Sequence, residues 1–441
     1  MLANNVIRQF ATQLIGLVSS FVISVITARI LGPENRGEFS MLLNTSGFLC
    51  LLFGFSYGTS MVYIIANNKM PLRNTINAFS ILVMLLIVIC FLTLFFFPAS
   101  LYHFLIPTSG HAVFYLCILF GIFVLTVTGI LFNSVLSGKR LFKEQQLLFL
   151  GTSAISIIAY IIVYIYREEL HIDVQKFSLF YLLLAILPNT GYYFIYLKKT
   201  RPSMTKGFLD SAQIKYILSF SLMAYLCTIF HFLSCRIDFW IVEYYNGNKD
   251  LGIYSLAVNL AQMLWILPQA ISVILLSYSG DEDKKKSNDN TNTLARVAFG
   301  IIVLTSIFLF FTIDFFMPLL FGEEYTGSVV IFKMLLFGIV PFSLTTILSS
   351  YFAGSGYIKI NLYCSLLGFV SCFILDLVLI PEFGIKGAAI SSGIAYIIST
   401  IFIVFIYLKR TNTDLSTLIL FKKQDLTLIK EKINKLTTRT G

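Results

Sequence analysis

Charge is scarce in this sequence. Only 12% of its 441 residues are Asp, Glu, Lys or Arg, against about 25% in a typical soluble domain. A soluble chain of this length could not cover its surface with so few polar groups, which excludes an ordinary globular protein. Histidine is scarce too, and the four present (His103, His111, His171 and His231) are scattered without metal-ligand spacing. The seven cysteines (Cys50, Cys90, Cys117, Cys227, Cys235, Cys364 and Cys372) fall in apolar runs with no CxxC pair. That excludes a disulfide framework and a thiolate metal site. A GxSxG elbow, an HExxH helix and a Gly-rich phosphate loop are all absent. No connecting loop is long enough to fold as a separate catalytic domain. Neither an enzyme nor a cofactor is expected.

Apolar sequence takes the place of charge. The chain is 57% hydrophobic with mean hydropathy +0.84, and its 43 Phe and 23 Tyr suit lipid and the membrane interface. Inside a bilayer each backbone polar group must find its partner within the protein, so helices or a closed barrel are the only spanning structures. The period-2 alternation of a barrel is missing. The fold class is therefore an all-α integral membrane protein. About 20 apolar residues cross the hydrocarbon core. Twelve such spans are expected near 6–30, 39–66, 77–97, 112–137, 145–166, 177–197, 214–243, 251–278, 294–319, 328–354, 359–380 and 387–408. The N-terminus lacks a basic n-region and a cleavage site, so its first apolar run is read as a retained helix.

The net charge of +10 is spread over short loops and a tail, which is the product of the positive-inside rule and argues against nucleic-acid binding. With the N-terminus inside, 24 of the 32 Lys and Arg fall on the cytoplasmic side, eight of them in the tail. The reading is self-consistent: an even number of helices, with both termini cytoplasmic.

The longest cytoplasmic loop, 198–213, divides the chain into an N-terminal six-helix lobe (1–197) and a C-terminal one (214–408), followed by a tail (409–441). The halves resemble each other weakly. Arg36-Gly37-Glu38-Phe39-Ser40 aligns with Leu251-Gly252-Ile253-Tyr254-Ser255, and Asn44 meets Asn259 at the same offset of 215. Ser137-Gly138 meets Ser355-Gly356 at an offset of 218. A duplicated six-helix unit is parallel, so its two copies are expected to flank a central cavity.

Ionisable groups in or just inside spans are the informative ones, because each is costly in hydrocarbon unless it faces a cavity or a partner. They are Arg8, Arg29, His231, Arg236, Asp238, Glu243, Asp314, Lys333 and Asp376. Arg8, Arg29, Glu243 and Asp314 lie near span ends, where snorkelling to headgroups is the plainer reading. Arg236 and Asp238 are two apart and do not share a helix face. Pro268 and Pro341 lie mid-span, where each is expected to bend its helix. Gly54 and Gly58 form a small-xxx-small pair suited to a close helix contact.

Four segments together resemble a known family. Ala28-Arg29-Ile30-Leu31-Gly32-Pro33, followed by Gly37-Glu38-Phe39-Ser40, is similar to the first-loop signature of bacterial polysaccharide transporters, the Wzx-type O-antigen flippases. Asp238 with Gly252-Ile253-Tyr254-Ser255-Leu256-Ala257 resembles its counterpart opening the second half. Leu320-Phe321-Gly322-Glu323-Glu324-Tyr325 and Pro381-Glu382-Phe383-Gly384-Ile385-Lys386-Gly387-Ala388-Ala389 fit two later positions. The resemblance runs in order over nearly the whole chain. Asp376 departs from the pattern, which has a neutral polar residue there.

The resemblance implies the multidrug/oligosaccharidyl-lipid/polysaccharide superfamily: two six-helix lobes around a cavity that opens alternately to each side. It implies an undecaprenyl-pyrophosphate-linked oligosaccharide as cargo, moved to the periplasmic leaflet of a bacterial inner membrane. With no nucleotide motif, the expected energy source is an ion gradient, with H+ or Na+ as coupling ion, or the substrate gradient, and the resemblance implies work alongside a polysaccharide polymerase and a chain-length regulator. Arg29, Arg236, Arg8 and Lys333 are then the cations expected to face the cavity and meet the pyrophosphate. Asp238, Asp314 and Asp376 are the acids expected to couple an ion. A multidrug extruder of the same fold and a membrane polysaccharide polymerase are the competing readings. The first would favour an acidic cavity, and the second needs a sizeable periplasmic loop, whereas the loop near 167–176 is small.

The Lys/Arg distribution makes a topological prediction. Reporter fusions at about residue 205 and in the tail should both report a cytoplasmic location; periplasmic activity at either position contradicts the assignment.

Overall fold

The computed structural model describes residues 2–54, 57–66, 71–96, 106, 112–200, 211–278 and 284–420. The side chain of Arg8, most of the 198–213 linker and the tail beyond Leu420 lie outside the described residues. Those described are helical almost throughout, with no strand among them. In chain order the helices are α1 (Leu2–Gly54), α2 (Tyr57–Ala66), α3 (Leu72–Phe95), α4 (Ala112–Gly138), α5 (Phe142–Ile165), α6 (Arg167–Leu170) and α7 (Val174–Thr200). The second half has α8 (Ser211–Gln262), α9 (Ile266–Tyr278), α10 (Lys284–Phe321), α11 (Gly327–Gly354), α12 (Ile358–Phe383), α13 (Ile385–Thr411) and α14 (Ser416–Ile419).

Ten stretches are long and apolar enough to cross a membrane. Two of them, Thr12–Gly54 and Tyr225–Ser272, run to 43 and 48 residues. At 1.5 Å per residue each is about 65–70 Å long, twice the hydrocarbon core. Each of those two also breaks once, at Gly32 (φ 67°, ψ 176°) and Gly247 (φ 81°, ψ 179°). Each is therefore a pair of crossings, and the described residues supply the expected twelve.

The breaks are tighter than the sequence suggests. Loops were expected near 31–38 and 244–250, yet a single residue makes each turn. Only glycine takes a positive φ without steric cost. The polar residues that follow (Pro33-Glu34-Asn35-Arg36, and Asn248-Lys249-Asp250) open the next helix instead of forming a loop. Pro33 fits there because a first-turn N–H has no helical partner to lose.

Pro268 likewise does not bend a helix from its middle. A 3-10 turn at Met263–Trp265 separates α8 from α9, and Pro268 is the third residue of α9, where its missing N–H is harmless. Pro341 does sit inside an unbroken helix, α11.

The apolar cores divide by half. One cluster runs from Leu31 to Tyr196 and draws nothing from the second half. Two others draw on residues 235–418, joined from α1 by buried Ala28 and Met41 and by partly buried Phe21 and Val25. This is a two-lobed molecule in which α1 and α8 carry much of the seam.

The seam is reciprocal. A methyl group at Gly37 would sit 1.7 Å from the Asn248 carbonyl oxygen, and one at Gly252 would sit 1.8 Å from that of Pro33. Gly37 and Gly252 are 215 residues apart, and so are Pro33 and Asn248, and Gly32 and Gly247. Ser40 and Ser255 share the spacing and hydrogen-bond each other at 2.9 Å. Such mutual contacts are those of two copies facing each other across a two-fold relation.

The second sequence match needs correcting by two residues. After α4, Arg140 (φ 60°) turns the chain, with the Leu141 amide bonded to the Leu136 carbonyl; after α11, Gly356 (φ 82°) does so, with Tyr357 bonded to Phe352. These equivalents are 216 apart, not 218. The Gln145 amide donates to the Asn133 carbonyl at 3.1 Å, and the Asn361 amide donates to the Ser349 carbonyl at 2.8 Å, again 216 apart. Gly54 and Gly58 do not act as a pair. Gly58 packs on Ile130 and Ser134, while nothing lies within 4 Å of a Cβ at Gly54.

Small residues let backbones touch where no hydrophobic force drives helices together, so Gly37→Ala and Gly252→Ala should each push the lobes apart. Overpacking of this kind costs about 1–3 kcal/mol or more. The expected outcome is a lower melting temperature of the purified protein for either variant and an unchanged one for Gly54→Ala.

Candidate transport cavity

The second crossing of α1 runs beside the first crossing of α8. Asn44 donates its amide to the Arg236 carbonyl at 3.3 Å, and the Trp240 indole donates to the Thr45 hydroxyl at 3.3 Å. Phe48 meets Trp240 edge-on at 5.6 Å, and the Tyr225 hydroxyl donates to the Leu52 carbonyl. Near the glycine bends a third segment joins. The Tyr325 hydroxyl reaches the Ala28 carbonyl at 3.4 Å, and the Arg36 guanidinium lies 6.0 Å over the Tyr325 ring. That end of the molecule is shut.

The four cations expected in the cavity fare differently. Helix α10 ends at Phe321, so its last carbonyls lack helical partners. Arg29 takes two of them: Nε donates to Leu320 at 2.9 Å and Nη2 to Leu319 at 2.6 Å. It ties the N-terminal lobe to the C-terminal one at the shut end. Lys333 pairs with Asp314 at 2.5 Å and lies 5.0 Å over the Phe310 ring. Exposed Phe311, Phe315 and Phe337 are near in sequence, as expected of a lipid-facing surface. Lys333 and Asp314 thus satisfy each other. The Arg8 side chain lies outside the described residues.

Arg236 is the cation in the seam. Its guanidinium donates to the Asn259 side-chain oxygen at 3.2 Å and to that of Gln262 at 2.8 Å, and it lies 4.8 Å over the Phe239 ring. Neutral amides solvate the charge without cancelling it. Sequence reasoning missed a further cation, Arg36, which was counted only as a loop charge. It is 4% exposed, and it donates to the Ser24 carbonyl at 3.1 Å and hydroxyl at 3.2 Å. Its place inside the first matched segment was the only signal. Glu243, read as reaching the headgroups, is instead buried just before the Gly247 bend.

Asp238 and Asp376 lie inside the C-terminal lobe, 1% and 0% exposed. One oxygen of Asp238 accepts from the Tyr254 hydroxyl and, at 3.0 Å, from that of Ser392. One oxygen of Asp376 accepts from the Cys372 thiol at 3.3 Å. The other oxygen of each has no hydrogen-bond partner within 3.5 Å among the described residues. Burying a bare carboxylate is costly unless a proton, a cation or several donors compensate. Here the donors are few.

Above this pair the same lobe holds a cavity of about 330 Å³, lined among others by His231, Trp265, Gln269, Phe342, Thr346 and Asn361. Among the described lining residues there is no carboxylate, lysine or arginine. The His231 ring lies parallel to Phe342 at 5.9 Å, and Trp265 packs on Phe342 at 5.0 Å. Ser234 and Ser399 line the cavity as well, and a Cβ at Gly368 would touch both hydroxyls.

Comparison with known proteins agrees with this geometry. The family model of polysaccharide biosynthesis proteins matches residues 2–276, and the MatE model matches residues 214–378. An uncharacterized membrane protein of Methanocaldococcus jannaschii is 21% identical over 404 residues, covering 87% of this chain and 79% of that protein. The inward-facing conformation of a multidrug resistance MATE family transporter of the MOP superfamily superposes with TM-score 0.73 at 15% identity, over 90% of this chain and 94% of that one. The lipid II flippase MurJ, in an inward closed conformation, gives 0.70 at 17% identity over 98% and 96%. An outward-facing MATE conformation gives 0.60 at 16% identity over 92% and 95%.

The Lys333–Asp314 pair predicts a reversal. Lys333→Leu alone leaves an unpaired carboxylate at a lipid-facing site, a cost of up to about 3 kcal/mol, and should lower the amount of folded protein. The double change Lys333→Leu with Asp314→Leu should restore it, as read by detergent-stable monodisperse protein.

Proposed function

The chain belongs to the family of polysaccharide biosynthesis proteins, and from that membership we propose that it is a flippase for a lipid-linked oligosaccharide. Its cargo is a glycan on undecaprenyl pyrophosphate, carried from the cytoplasmic to the periplasmic leaflet of a bacterial inner membrane for O-antigen or another surface polysaccharide. The observation that carries this reading is Arg236. It lies in the seam between the lobes and is held by two neutral amides, so its charge stays available to an anion. A planar guanidinium suits pyrophosphate, whose charge and sugars cannot cross hydrocarbon unaided. The lipid tail stays in the bilayer while the head group passes between the lobes.

The Lys/Arg distribution places the glycine bends on the periplasmic side. The shut end then faces the periplasm, and the state is open inward. The higher superposition score on the inward-facing MATE conformation, 0.73 against 0.60 for the outward-facing one, supports this. In the cycle Arg29 acts as a latch: its bonds to Leu319 and Leu320 must break before the periplasmic side opens. The lobes are taken as 1–197 and 214–408, with 198–213 as the cytoplasmic linker between them.

The energy source is proposed to be a cation, H+ or Na+, taken up by Asp238 and Asp376. Their orphaned oxygens and the hydroxyls of Tyr254 and Ser392 supply oxygen ligands only, which suits either ion. The MatE match over residues 214–378 favours one second reading, an extruder of cationic drugs. It predicts raised drug resistance on expression, whereas the flippase predicts none.

The test is complementation of a strain deleted for the gene. Deletion should make lipid-linked repeat units accumulate on the cytoplasmic side. Arg236→Lys should restore little surface polysaccharide at normal protein level, because an ammonium cannot hold pyrophosphate through two parallel bonds. Full display by both Arg236→Lys and Arg236→Ala removes Arg236 from cargo binding.

A further inference from the structure

The cavity above the buried acids is not explained by a pyrophosphate site, because it presents no charge. Its described lining pairs hydroxyls and amides with rings: Thr346, Ser349, Asn361 and Gln269 beside His231, Trp265 and Phe342. Hydroxyls and carboxamides both donate and accept hydrogen bonds. Aromatic rings offer an apolar face that carries a negative quadrupole. A guest matching both has many hydroxyls and a face of polarised C–H groups, which describes an uncharged pyranose. A drug cation would meet no carboxylate in the described lining. A lipid chain would leave the remaining hydrogen-bonding capacity of these hydroxyls and amides unused, at a cost for each. The volume, about 330 Å³, is at the small end of ligand pockets and has room for a single sugar ring.

Two orphaned atoms point the same way. Asn361 donates its amide to the Ser349 carbonyl at 2.8 Å, while its side-chain oxygen has no partner. Gln262 accepts from Arg236 at 2.8 Å, while its amide nitrogen has none. Both atoms are enclosed, the first on a residue that lines the cavity and the second beside the arginine. The two regions adjoin. Trp265 and Gln269 follow Gln262 by three and seven residues, a helix-face spacing. His231 precedes Arg236 by five residues, about 7 Å along the helix axis.

We infer that this cavity is a monosaccharide subsite, which holds the first uncharged sugar of the glycan while Arg236 holds the pyrophosphate. The inference rests on the flippase reading for the source of the sugar. The remaining sugars extend toward the open side, where water solvates them. Selection for a glycosylated cargo over the bare carrier lipid then resides in Asn361, Thr346 and the rings. A site built around hydroxyl groups discriminates strongly against a guest that lacks them.

The experiment measures the affinity of the full chain in nanodiscs for two probes: bare undecaprenyl pyrophosphate, and the same lipid bearing one N-acetylhexosamine. One neutral hydrogen bond corresponds to about fivefold in affinity, so the wild type should prefer the glycosylated lipid by about tenfold. Asn361→Leu and Thr346→Val should each bring that ratio down toward one, whereas Arg236→Gln should weaken both lipids and keep the ratio. A wild-type ratio near one, or an unchanged ratio in both cavity variants, overturns the subsite. A second measurement needs no lipid. Cys227 lines the cavity, and with the other cysteines replaced by alanine its alkylation by N-ethylmaleimide should slow severalfold in methyl N-acetylhexosaminide. If neither lipid binds, the flippase reading fails and this arm alone decides the subsite: protection upholds it, and no protection overturns it.

Discussion

Two lobes that must separate on one side and meet on the other need a contact that is close, directionless and repeatable. Here that contact is backbone on backbone. Gly37 lies on the Asn248 carbonyl and Gly252 on that of Pro33, each pair repeating the other at the same spacing along the chain. In lipid no hydrophobic force holds helices together, so packing and hydrogen bonds must do it. A single methyl group at either glycine removes the fit. The rest of the shut end is built around this contact: the Ser40–Ser255 bond, the Arg29 bonds to the end of α10 and the Arg36–Tyr325 stack. None of these is an ion pair. Opening such a gate separates no pair of opposite charges.

Intramembrane charges sort by what compensates them. Lys333 and Asp314 neutralise each other on an apolar face. Arg29 and Arg36 are held by carbonyls and a ring. Arg236 has two amides and no acid bonded to it among the described residues, and Asp238 and Asp376 have hydroxyls or a thiol and no cation bonded to them. The proposed cycle draws on the arginine and the two acids. Those are the groups proposed to meet, in turn, an anionic cargo and a cation. The neutral cavity adjoins them in the C-terminal lobe.

Much of the fold was legible in the sequence. Composition demanded a helical membrane protein, and apolar run lengths gave the crossings. A few matched residues at an offset of 215 pointed to the duplicated halves, and the structure then brought those residues together at the seam. The one-residue turns at Gly32 and Gly247 were less legible, because polar residues beside a glycine read equally as a loop or as the start of a helix. The offset of 218 failed for a related reason. The αL position that ends α4 is occupied by Arg140, which does not advertise itself as glycine does at Gly356. The site was legible in its residue types and less so in their partners. Nothing in a linear sequence says that Lys333 will meet Asp314 or that Arg29 will reach two carbonyls almost 300 residues away. The neutral cavity was not visible at all, since serine, threonine and asparagine are scattered through every span.

The most direct test of the account is transport by the purified protein. The chain would be reconstituted into liposomes that carry the glycosylated pyrophosphate lipid in both leaflets, with an impermeant sugar-oxidising reagent added outside. The proposal predicts that wild-type protein exposes nearly all of the lipid to the reagent over time, while Arg236→Ala leaves about half protected, as in protein-free liposomes. If wild-type protein leaves the inner-leaflet half protected, with an imposed proton or sodium gradient of either sign as well as without one, the account is contradicted.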